Sequence, residues 1–218
     1  NVTSQVTVAA WVKSDAAGRY IIASDAAANR TMTFYPSLDG RLLETTNEAD
    51  FATIRNADGD TATTTEGTMD FNLYYTAGAW DIWNRAIFLF NTSSIPDSAT
   101  IDSATFGFVV IASGFANSFA DSFSMVTSTP ASNTALEALD YKQLGTTKQA
   151  ADLPLANIVA DGASYNNFNL NSTGLGHINK SDITKFGLRA TFDNDNVDPG
   201  PANDDETRAQ IATAEEIL

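Results

Sequence analysis

"NRAIFLFNTSSIPDSATIDSATFGF", residues 84–108, is the stretch from which the fold is read. Two apolar runs flank a polar hinge that carries a proline. Ala86, Phe88 and Phe90 fall on one face of an extended chain, as do Ala104, Phe106, Phe108 and Val110 beyond the hinge. That period of two is the signature of strands packed on a core. Pro96 fixes its own φ and biases Ile95 toward an extended conformation, which ends the first strand. Ser93, Ser94 and Asp97 are short polar residues that bond nearby backbone groups in turns. The stretch therefore predicts strand–hinge–strand at the centre of a core, with Ser93 and Ser94 as turn stabilisers rather than nucleophiles.

The same grammar extends outward. "VTSQVTVAAWVK" alternates from Val2 to Val12, and "RYIIAS" and "TMTFYP" read as two further short strands. From Asp39 to Gly67 the chain is polar, with "FATI" (Phe51 to Ile54) as its apolar foothold and "NADGD" (Asn56 to Asp60) as a turn. "MDFNLYY", "DSFSMVTS", "YNNFNLN" and "TKFGLRATF" add strands, the last of these being the final strong one. Helical signal is confined to "NTALEALDY" (Asn133 to Tyr141) and "NSTGLGHINKS", where glycines weaken it. Beyond an acidic loop over about 193–206, "RAQIATAEEIL" offers a short strand or a helical turn and no closing strand. The expected fold is all-β, a jelly-roll-like antiparallel β-sandwich with one or two short helical turns. Residues 1–30 are expected to form an N-terminal extension or strand arm, and residues 31–218 the sandwich domain.

At 218 residues with 43% apolar and 18% charged side chains, the chain has the material for a sizeable core. Its 27 acidic residues outnumber 12 basic ones, for a net charge of −15. Such a surface repels phosphate backbones and anionic lipid, so neither nucleic acid nor membrane insertion is expected. No run approaches the length of a membrane span. The absence of cysteine removes disulfides and thiolate metal sites. A first residue that is Asn, with no basic-then-apolar leader after it, points to a processed chain or a portion of a longer one.

With these elements in place, the chain resembles the disaggregatase-related (DNRLRE) type of β-sandwich domain. The resemblance rests on Phe88–Leu89–Phe90, the hinge Ser93–Ser94–Ile95–Pro96, and the strand entry Ala99 through Thr105. "TFYPSLDGRL" upstream, and "STPASNTALEALDYKQLGTT" and "YNNFNLNSTGLGHINKSDITKFGLR" downstream, continue it over roughly residues 31–215. It is similar to a sub-branch frequent in phage virion-associated and metagenomic proteins. The resemblance implies a non-enzymatic structural or decoration protein on an extracellular particle: a virion capsid decoration, tail or fibre component, working as a homo-oligomer with other virion or surface proteins. The alternative it implies is a carbohydrate-binding module of a secreted or cell-surface protein. A surface-layer or filament subunit is a third reading. The chain departs from the pattern by lacking the usual closing L-x-V-x-Y strand, and its first 25 or so residues lie outside the resemblance. An N-terminal strand would fill the open sheet edge, in the same chain or in a neighbouring copy.

Candidate chemistry is sparse. His177 is the single histidine, so no zinc site or His-based triad is expected. Carboxylates concentrate in turns and in the tail rather than at strand ends, which speaks against a glycosidase pair. Calcium is the one ion the sequence suits. "DNDNVD" supplies Asp193, Asp195 and Asp198, and "NADGD" clusters similar ligands, although neither fits an EF-hand loop. No other cofactor is expected. For a glycan, "NLYYTAGAWDIWN" offers Tyr75, Trp80 and Trp83 as stacking surfaces. Trp80, beside Gly78, is expected to be exposed, whereas Tyr75 and Trp83 also suit the edge of the core.

Overall fold

The computed structural model describes residues 20–25, 30–65, 67–119 and 121–212. The alternating segment Val2–Val12 lies outside them. In chain order the strands are β1 (Tyr20–Asp25), β2 (Arg30–Phe34), β3 (Pro36–Ala49), β4 (Thr61–Thr63), β5 (Thr68–Thr76) and β6 (Ala79–Asn91). They continue with β7 (Ser103–Asn117), β8 (Ser122–Thr127), β9 (Leu153–Pro154), β10 (Tyr165–Asn169), β11 (Ile183–Ala190) and β12 (Asp205–Ala212). Three short helices interrupt them: α1 (Phe51–Arg55), α2 (Ser172–His177) and α3 (Thr191–Asp195). Every strand pairing among the described residues is antiparallel. The all-β expectation holds.

The opening stretch folds as strand, hinge and strand, with Ser93 bonded in the hinge. β6 stops at Asn91, whose Oδ1 accepts from both the N–H (3.2 Å) and the hydroxyl (2.6 Å) of Ser93. Two backbone bonds close the hinge, Ile95 N–H to Thr92 O (3.0 Å) and Ala99 N–H to Pro96 O (2.9 Å). Lys180 Nζ braces it from outside by donating to the carbonyls of Asp97 and Ala99. The chain then returns in the facing layer as β7. Phe88 of β6 meets Phe106 of β7 with ring centroids 5.0 Å apart, and Phe71 of β5 meets Phe123 of β8 at 4.8 Å. One layer follows the order β2-β1-β7-β12-β5, with β10 also on β7. The other follows β6-β11-β8-β9, with β3 and then β4 on the far edge of β6. The β5–β6 hairpin joins them, so the sandwich is nearly closed into one sheet.

Two elements differ from the sequence reading. The polar passage after Asp39 contributes a fourteen-residue strand, β3, which pairs along almost all of β6. Its polar groups acquire partners there: Ser37 Oγ donates to Leu89 O, and Asp60 accepts from the Thr45 N–H and hydroxyl. The C-terminal segment, read without a closing strand, forms β12 and sits between β5 and β7. Its inward residues Thr207, Ala209 and Ile211 are small or single, which leaves a weak hydrophobic signal in the sequence. "TKFGLRATF" also ends earlier than expected, because the chain turns into α3 at Thr191.

β6 is buried on both faces from Trp83 to Phe90, although alternation predicts one. Ala86, Phe88 and Phe90 point between the layers. Trp83 and Arg85, on the other face, lie beneath α1, α3 and the 3-10 turn Ala138–Lys142. This covered outer face carries the features described next.

Candidate functional site

The register between β6 and β11 pairs Leu188 with Ala86; continued by one residue, it sets Arg189 opposite Arg85 on the outer face. Like charges directly opposed in a sheet destabilise it. The carboxylate of Asp193 resolves the conflict. It accepts from Arg85 Nε and Nη2 (both 2.8 Å) and from Arg189 Nε (2.9 Å) and Nη2 (2.7 Å). Both forks are bidentate, the strongest geometry for this pair. All three side chains are buried. Arg55 completes the cluster, donating from Nε to the Asp193 carbonyl (2.8 Å). Two further guanidinium protons of Arg85 go to Tyr141 O (2.7 Å) and Arg55 O (2.8 Å), and its Cζ lies 4.0 Å above the Tyr141 ring.

α3, which carries Asp193, is held by a second carboxylate. Ala190 offers no side-chain cap, and Asp121 Oδ2 accepts from Thr191 N–H (3.1 Å) in its place. Ser124 Oγ donates to Asp152 (2.7 Å) and lies 2.9 Å from Thr191 Oγ1, while Lys148 bridges Asp152 (2.7 Å) and Asp195 (3.0 Å).

These carboxyls titrate in opposite directions. Burial raises Asp121 to about 6, against backbone N–H bonds from Ser122, Phe192 and Thr191 that pull it down; Asp152 adds repulsion. Burial acts upward on Asp193 too, but the charges and bonds of Arg85 and Arg189 outweigh it and hold the group at about 2. Glu44 is raised by burial and by Asp60. Between about pH 4 and 6 the folded chain keeps a proton on Asp121 that the unfolded chain has released. Raising the pH through that window therefore costs stability, on the order of 3 kcal/mol for Asp121, with Glu44 acting in the same sense. Below about pH 4 the sign reverses, because the unfolded chain takes up a proton that Asp193 refuses. Melting temperature measured from pH 2.5 to 7.5 should peak near pH 4, and Asp121→Asn should flatten the decline above it. A melting temperature that climbs steadily from pH 4 to 7 would contradict the assignment.

The residues expected to bind calcium do not come together. Asp193 is sealed between guanidinium groups, Asp195 is bridged to Lys148, and Asp198 sits on an exposed turn accepting from Gly200 N–H (3.0 Å). In "NADGD", Asp58 pairs with Lys142 and Asp60 is spent on Thr45. Among the described residues no group of three or more His, Cys, Asp or Glu is placed to hold a metal.

The expectation of an exposed Trp80 is corrected: its exposure is 1%. The hairpin turn is only Ala77–Gly78, both with positive φ (52° and 87°), as the tight two-residue turn demands. Trp80 is thus already inside β6, opposite Tyr75 across a register shift. Its ring lies 4.7 Å from Trp83, 5.4 Å from Tyr75 and from Phe119, and 5.8 Å from Phe192. Trp83 is also core, and Tyr75 is half-buried.

The outer face of β11 continues past the arginines into a groove of about 480 Å³. Pro130, His177, Ile178, Ile183 and Lys185 are among its lining residues. A carbonyl can only accept, so His177 Nε2 carries the proton it shares with Lys185 O (2.8 Å). The imidazole also rests edge-on against Phe186. Sequence reasoning missed both features. The available signals were the lone arginines in "IWNRAIFLF" and "FGLRATF", each a charge inside an otherwise apolar strand.

The fold and these features define an antiparallel β-sandwich protein with an arginine–carboxylate clasp buried under one sheet. Compared with protein-family models and with curated proteins, the chain matches none.

Proposed function

We propose that this chain is a non-enzymatic structural subunit of an extracellular particle, foremost a virion, where it decorates a capsid or forms part of a tail or fibre. The observation that carries this reading is where the chemistry-bearing side chains are spent. The tryptophans of the 72–84 segment and two of the arginines are interior, and the candidate metal ligands are tied up or apart. What remains outside is an acidic surface suited to keeping a particle dispersed. The resemblance of residues 31–215 to virion-associated sandwich domains supports the same reading. Copies would meet through surface grooves and the ends of the sheet, where β2, β4 and β9 terminate the strand orders.

Light scattering over a range of concentrations, together with imaging of the native assembly, tests the proposal. Concentration-dependent oligomers with a repeated contact are expected. A chain that stays monomeric and binds a polysaccharide on an array would overturn it in favour of the glycan-module alternative.

A further inference from the structure

The groove on β11 contains an anomaly of charge. With 27 acidic side chains in the chain, few of the cations whose side chains are described lack a partner. Arg55, Arg85 and Arg189 are on Asp193, Arg208 on Asp70, Lys142 on Asp58, and Lys148 on Asp152 and Asp195. Lys180 is bound to two hinge carbonyls, and Arg41 is engaged as well. The ammonium of Lys185 has no hydrogen bond or ion pair with any described residue, and this lysine lines the groove. Around it Pro130, Ile178 and Ile183 supply apolar wall. The groove thus calls for a ligand that presents a carboxylate beside an aliphatic group.

The chain carries such a feature itself. Val197 is 60% exposed, one of few large apolar side chains left in water among the described residues, and Asp198 follows it without an ion pair to any of them. This corner is held in shape. Asn196 adopts a left-handed conformation (φ 57°), Val197 N–H bonds Phe192 O (3.0 Å), and Asp198 Oδ1 takes Gly200 N–H. It lies past the C-terminal end of β11, whereas Lys185 sits near the start. The five residue steps from Lys185 to Ala190 alone span roughly 17 Å. A corner pinned at that end does not reach its own groove.

We propose that the groove receives the Val197–Asp198 corner of a second copy of this chain, with Asp198 on Lys185 and Val197 against Ile178 and Ile183. The inference rests on the self-assembly reading above and gives it a contact. Made once per pair of copies, the contact is head-to-tail and generates a ring or an open filament; made reciprocally, it closes a two-fold dimer. An acidic surface opposes most self-contacts, so a single complementary point would also set the register between copies.

A charge swap tests this. Lys185→Glu and Asp198→Lys should each weaken self-association at least about tenfold, measured by sedimentation on the full chain. The double variant should recover most of that loss. Val197→Ser should weaken association without changing its salt dependence, and thermal melts of every variant check that the fold is intact. Association that persists unchanged in Lys185→Glu and in Lys185→Gln would overturn this contact while leaving self-assembly standing. A double variant no better than the singles would also overturn it. A wild-type chain that is monomeric at all concentrations would bring down both readings. A monomer that instead binds polygalacturonate through Lys185 would assign the groove to an acidic glycan and overturn the second-copy occupant.

Discussion

Asp193→Ala should lower the free energy of unfolding by about 3–5 kcal/mol, the range found when one partner is removed from a buried ion pair. The loss comes mainly from what is left behind. Arg85 and Arg189 would face each other across adjacent strands, buried and without the carboxylate that reconciles them. Asp193→Asn should also destabilise, because one of the two oxygens, each of which accepts from both arginines, becomes a donor aimed at the guanidinium groups. By contrast Lys142→Ala, which removes an exposed partner of Asp58, should change stability by no more than about 1 kcal/mol. Denaturant titration of the three variants provides the comparison. A loss below about 1 kcal/mol for Asp193→Ala would mean that the clasp is not a closed centre.

Trp80→Ala should cost about 3–5 kcal/mol and should abolish much of the near-ultraviolet aromatic signal. Five rings surround this indole: Phe51, Tyr75, Trp83, Phe119 and Phe192. Phe192 belongs to α3, so the cavity would also loosen the helix that presents Asp193 to the arginines. Tyr75→Ala, at a half-buried position, should cost less. A Trp80→Ala chain with an unchanged melting temperature would show that the indole is not core and would reopen it as a stacking surface.

The two experiments bear on how far a single sequence carries. Phe88 and Phe106 were legible as facing core residues because alternation is a property of near neighbours along the chain. The hinge was legible because proline and serine act on the backbone beside them. Trp80 was misplaced by the composition of its surroundings: glycine beside a tryptophan suggests an open loop, whereas a two-residue turn returns the chain to strand at once. Asp193, Asp195 and Asp198 read as one ligand cluster because they are close in sequence. A short helix turns Asp193 inward and leaves Asp195 and Asp198 at the surface.

Local letters therefore sufficed for the all-β class, the position of the central turn and the identity of the residues between the layers. Side-chain periodicity and turn chemistry act over a few residues, and any fold containing them must honour them. Pairing across the molecule was needed for the rest. β12 gains its central position only from neighbours contributed by β5 and β7, and the clasp joins residues 108 apart in sequence. Lys185 stands out only once Arg55, Arg85, Lys142, Lys148, Lys180, Arg189 and Arg208 have been matched to their partners. These are consequences of strand register and charge neutralisation, which no window along the chain contains.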